Sequence, residues 1–126
     1  MSLRSPLGTA KGLGSAKDGL HHWWAQRVTA VALIPLTVLF AFQVALLSMS
    51  DYKTVIDCIG SPWSSALIIS LIVAAFYHAA LGMQVIYEDY ISNKAIRIGA
   101  IMTTNLMLFL LGTAAIIAVL RIALGG

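Results

Sequence analysis

Two groups of residues in this chain have side chains that could do chemistry. His78 interrupts the apolar run ALIISLIVAAFYHAALGMQVI (Ala66–Ile86), and the run closes on Tyr87, Glu88, Asp89 and Tyr90. An imidazole inside a lipid-spanning segment is expensive, and such groups pair, conduct protons or hold a ligand. The phenols and carboxylates at the end of the run offer hydrogen-bond donors and exchangeable protons. A second set, His21, His22 and Arg27, lies within HHWWAQR, where the first apolar run begins.

The neighbours of His78 are small. Gly82 follows one turn later and Ala74 precedes by one turn, with Ala75 and Ala79 beside them. Positions i and i+4 share a helix face, so the histidine emerges from a strip with little side chain. Such strips allow helices to pack closely. They also leave room for a flat macrocycle whose iron the imidazole reaches, and imidazole is a standard axial ligand of haem. A six-coordinate b-type haem needs two axial nitrogens. His78 lies about 18 Å along a helix from Tyr90, at 1.5 Å for each of twelve residues. With His21 and His22 taken to lie at the Tyr90 level, that pair reads as too shallow for the same iron. The second ligand is expected from another chain. Arg27 and one of the two histidines then suit haem propionates as charge-assisted partners.

The elements that position these residues are membrane helices. The chain has 126 residues, 60% of them hydrophobic and only 10% charged, with a mean hydropathy of +0.90. Soluble domains carry about 25% charged residues, and a chain this short has no core able to hide so much apolar surface. About 20 helical residues cross the ~30 Å hydrocarbon layer. Three spans meet that need, at about residues 28–47, 66–86 and 98–120. Strand alternation is absent, and backbone groups in lipid must be satisfied internally, which leaves helices. The expected fold is an all-α membrane protein with three transmembrane helices. An N-terminal arm and interfacial segment, residues 1–25, precedes the membrane domain, residues 26–124.

Charge sets the expected orientation. Arg4, Lys11, Lys17, Arg27, Lys94 and Arg97 fall on one side, and Lys53 and Arg121 on the other. Positive loops stay on the cytoplasmic face, so the N-terminus is expected inside and the C-terminus outside. The net charge of +3 is thus a topology signal and not a nucleic-acid footprint. Trp23, Trp24 and Trp63 suit interfacial belts. Pro35 favours a kink in the first span. Residues 50–65 form the outer loop, where Ser61 or Ser64 caps the second helix and Pro62 opens it. Cys58 is the only cysteine, which excludes an intrachain disulfide and a cysteine-ligated cluster. The first 22 residues lack the apolar run of a signal peptide, although their scattered Arg, Lys and Ser leave a short organellar presequence open.

HHWWAQRVTAVALIPL and HAALGMQVIYEDYI together resemble the hydrophobic membrane anchor subunit family of succinate dehydrogenase (respiratory complex II, D-subunit type), especially its alphaproteobacterial members. The second stretch carries the family pattern of histidine, glycine four later, then Asp-Tyr seven and eight after the glycine. The resemblance implies a noncatalytic subunit of the bacterial inner membrane, packed with a cytochrome b556 subunit around one haem b. It also implies docking to an iron–sulfur subunit, fed by a flavoprotein that oxidises succinate, with ubiquinone as electron acceptor. By the same resemblance His78 would be an axial ligand of the haem iron, Tyr90 a ubiquinone hydrogen-bond donor and Asp89 its support. Arg27 and His21 would lie near the haem propionates, with His22 a close rival to His21.

Two other readings use the same residues. In a haem-free scaffold, His78 only packs or bonds across helices. In a small transporter subunit, His78, Glu88 and Asp89 form a proton path, which wants a polar stripe on a second helix. The third span offers Thr103, Thr104, Asn105 and Thr113 for it.

Overall fold

A computed structural model describes residues 14–125, and these form four helices with no strand among them. They are α1 (Gly14–Leu47), α2 (Tyr52–Gly60), α3 (Pro62–Tyr90) and α4 (Lys94–Ala123). Arg4 and Lys11, and with them most of the expected arm, lie outside the described residues. The segments long and apolar enough to cross a membrane are Gly19–Leu47, Pro62–Tyr90 and Lys94–Ala123. Each overruns its expected span because hydropathy marks only the hydrocarbon layer. At 1.5 Å per residue a 29-residue helix is about 43 Å long, which covers a bilayer with its headgroups. α1 is longer still and runs without a break through Pro35.

The helix ends follow from capping chemistry. Ser61 accepts a hydrogen bond from the backbone N–H of Ser64, and Pro62 occupies the first helical position of α3, where its missing N–H costs nothing. Asn93 accepts from the N–H groups of Ala95 and Ile96 at 3.0 and 3.3 Å and so starts α4. Within the expected loop, α2 is a helix. Val55, Ile56 and Ile59 are half-buried while Tyr52, Lys53 and Asp57 are exposed, an apolar stripe of helical spacing. Its last residue, Gly60, approaches the backbone of α4 so closely that a Cβ there would lie 3.4 Å from the Ile122 carbonyl oxygen.

α3 is the common partner of the long helices, with α1 on one side and α4 on the other. Gln43 near the end of α1 donates to Ser64 at the start of α3, while Gln26 near the other end meets His78. These pairings make α1 and α3 antiparallel. α3 and α4 run antiparallel too, since Tyr87 bonds Thr104 at 2.8 Å and Gly112 faces the Phe76 ring. The three helices bury little against one another. Leu81 and Val119 are the buried large apolar side chains, alongside Ser64 and Ser65. Ile34, Val38 and Phe42 on α1 and Met102, Leu106 and Phe109 on α4 are all exposed, as lipid or a second membrane subunit requires.

Candidate functional site

The histidine of α3 is held by α1. Helical spacing puts His22, Gln26 and Thr29 on one stripe of α1. The hydroxyl of Thr29 lies 2.9 Å from His78 Nδ1, and Gln26 Nε2 lies 3.3 Å from His78 Nε2. Gly82, one turn along α3, makes room for the carboxamide: a Cβ there would sit 3.5 Å from Gln26 Nε2. The small strip around His78 is thus used, at Gly82, for close packing against α1.

Beside this contact is a cavity of about 440 Å³ lined by Gly19, His22, Trp23, Gln26, Arg27, Ala30, His78 and Val85, within the size range of ligand sites. Two buried polar atoms there, His22 Nε2 and Gln26 Oε1, have no hydrogen-bond partner among the described residues. Unpaired buried polar atoms are uncommon and call for a partner. The Arg27 guanidinium lies 5.6 Å from the centre of the Trp23 ring, a cation–π contact, and Trp23 leans on Trp24 with 6.2 Å between ring centres. The cavity therefore combines two imidazoles, one guanidinium and an aromatic wall.

Of the two adjacent histidines, His22 lines this cavity, whereas His21 is exposed and is not part of its wall. Neighbours on a helix point about 100° apart, so only one of the two expected candidates, His22, faces this cavity. His22 also lies deeper than the Tyr90 level. His22 stands one turn, about 6 Å, from Gln26, and Gln26 is level with His78. The about 18 Å separation belongs to Tyr90, since α1 continues for two turns below the tryptophans.

Tyr90 is 83% exposed, and Glu88 and Asp89 are exposed beside it. Glu88 accepts a hydrogen bond from Gln84 at 2.9 Å, a pairing of i and i+4. No hydrogen bond joins Asp89 to Tyr90 among the described residues, because consecutive helix positions do not face each other. Tyr87 is the tyrosine used internally, through Thr104. The acidic end is thus an exposed face one and a half helix diameters or more from His78, at about 18 Å along α3. Gln26 and Thr29 are the site residues that sequence reasoning missed. The cue for them was that His78 needed a polar neighbour in the membrane.

Three membrane-length helices, with an intramembrane histidine held between two of them, define a multi-pass membrane subunit with a polar internal site. Residues 1–120 match the family described as succinate dehydrogenase/fumarate reductase transmembrane subunit, and the chain belongs to that family. It is similar to proteins named succinate dehydrogenase hydrophobic membrane anchor subunit. That of Rickettsia bellii is 35% identical over 116 residues, covering 92% of this chain and 93% of its own. That of Paracoccus denitrificans is 31% identical over 121 residues, covering 96% and 93%. That of Rickettsia conorii is 36% identical over 89 residues, covering 70% and 71%. The chain is a noncatalytic, multi-pass inner-membrane subunit of a multisubunit enzyme complex.

Proposed function

We propose that this chain anchors a succinate:ubiquinone oxidoreductase in the membrane, N-terminus inside, and shares one haem b with a cytochrome b556 partner subunit. The observation that carries the reading is His78 itself: an imidazole within the membrane, fixed at both ring nitrogens from α1, beside a cavity with unpaired polar atoms. The residues suit the group. His78 would offer an imidazole nitrogen to the iron, while Arg27, with His21 or its neighbour His22, would be the donor groups for propionates. Bound there, haem b supplies a one-electron carrier inside the membrane. As the family resemblance implies, the partner subunit would supply the iron's other protein nitrogen, and it would also cover apolar surface that the three helices leave bare.

The exposed end of α3 serves ubiquinone. The Tyr90 hydroxyl donates a hydrogen bond to a quinone carbonyl and stabilises the negative charge that grows on that oxygen as electrons arrive. Two electrons from succinate, delivered through the flavoprotein and iron–sulfur subunits, and two protons convert quinone to quinol. Asp89, exposed beside Tyr90, supports this end of the site.

The test is a reduced-minus-oxidised absorbance spectrum of the purified complex, wild type beside His78→Ala. A b-type signal that is lost or altered by the substitution is expected. An unchanged signal removes His78 from the iron, and a wild-type complex without the signal leaves a haem-free anchor.

A further inference from the structure

The Thr29 hydroxyl has one proton and three neighbours. It lies 2.8 Å from the Ala25 carbonyl oxygen, 3.1 Å from that of Gln26 and 2.9 Å from His78 Nδ1. Both carbonyls can only accept, and a helical threonine regularly gives its proton back to the carbonyl one turn earlier. With the proton spent on Ala25, the oxygen faces Nδ1 with a lone pair. Nδ1 must then carry hydrogen. The neutral imidazole has only one N–H, so Nε2 is bare, and it faces the Gln26 amide N–H as an acceptor. The network thus assigns one tautomer.

We infer that Thr29 is a positioning residue: it accepts the Nδ1 proton of His78, fixes the imidazole plane and presents Nε2 as the ligating nitrogen. The inference rests on the haem reading given above. A ligating histidine commonly donates its other ring N–H to a fixed acceptor, which holds the tautomer and raises ligand basicity. Here that acceptor is a hydroxyl, itself anchored to the backbone of α1, so a helix that supplies no iron ligand sets the angle of the one that does. Gln26 and an iron would compete for the same lone pair, so the carboxamide would have to leave Nε2, whereas the Thr29 contact to Nδ1 is compatible with ligation.

A stronger Nδ1–H···O contact makes the imidazole more electron-rich and favours ferric over ferrous iron. Thr29→Val keeps the shape and removes the acceptor. The expected result, in the whole purified complex, is a threefold to tenfold loss of ferric preference. At 59 mV per tenfold for one electron, that is a rise of roughly 30 to 60 mV in haem midpoint potential. Haem retention under dilution falls as well, and Thr29→Ser restores both. Thr29→Ala lacks the hydroxyl, cannot overpack, and carries the same expected rise should the valine complex fail to assemble. A wild-type potential in both hydroxyl-free variants, in a complex whose haem is lost with His78→Ala, overturns the role of Thr29 and leaves the haem reading intact. Absence of haem from the wild type, or its survival unaltered in His78→Ala, overturns both.

Discussion

Tyr87 and Tyr90 stand one turn apart on α3, and the structure separates what each hydroxyl does. Tyr90 is 83% exposed and its hydroxyl has no partner within the described chain, so Tyr90→Phe removes nothing that holds the helices together. On the proposed quinone role, its effect would fall on the substrate. A neutral hydrogen bond contributes about 0.5–1.5 kcal/mol net, and 1.36 kcal/mol is tenfold in rate. Succinate:ubiquinone reductase activity should therefore drop by roughly 2- to 13-fold, nearer the upper figure because the quinone oxygen gains charge as it is reduced. Succinate oxidation with a water-soluble artificial acceptor should be unchanged. Tyr87→Phe is the matched control. It loses the 2.8 Å bond to Thr104, an interhelical contact of a kind worth about 0.6 and at most about 1.7 kcal/mol in a membrane. That variant should lose thermal stability in detergent and keep its quinone rate. Both activities are read on the same purified complexes. Equal quinone rates for Tyr90→Phe and wild type, or a quinone defect confined to Tyr87→Phe, would refute the assignment.

Gly112→Leu should weaken the α3–α4 packing by about 1–3 kcal/mol, since even a Cβ lies 3.4 Å from the Phe76 ring; a thermal melt of the complex reads this, and an unchanged melting temperature refutes that packing. At the α2 end, the hydrogen bond from Thr54 lowers the Asp51 carboxyl below its ordinary value of 3.8. The folded value being depressed, the bond's contribution is present above pH 3.8 and is lost as pH falls through the folded value. Thr54→Val should return Asp51 toward 3.8 in an NMR titration of the carboxyl carbon, and an unmoved titration argues against the bond.

The apolar spans were legible in the sequence, because lipid imposes helices and lengths that few other environments do. Their ends were not. Gly14–Ala25 and Lys94–Arg97 contain the polar residues that hydropathy discards, yet the backbone continues helical through them. α2 was hidden for a related reason: nine residues are too few to register as a span, although Val55, Ile56 and Ile59 already carried the helical stripe. At the site, His78 was conspicuous against its apolar neighbours. Thr29 was inconspicuous, since a threonine in a membrane helix usually bonds its own backbone, and here it does that and meets the imidazole as well. Which of His21 and His22 lines the cavity beside His78 depends on the rotation of α1 about its axis, which residue spacing around two adjacent histidines leaves undetermined.

The placement of His78 and Tyr90 on one uninterrupted helix has an evolutionary consequence. α3 acts as a ruler of twelve residues: tilting or thinning of the bilayer can swing it but not stretch it. One inserted residue between them would move Tyr90 by about 1.5 Å and swing it by about 100°, so under the proposed roles of the two residues this interval should tolerate no change of length. The Ser48–Asp51 connection and the α3–α4 turn carry no such constraint, and drift in chain length within this lineage should accumulate there.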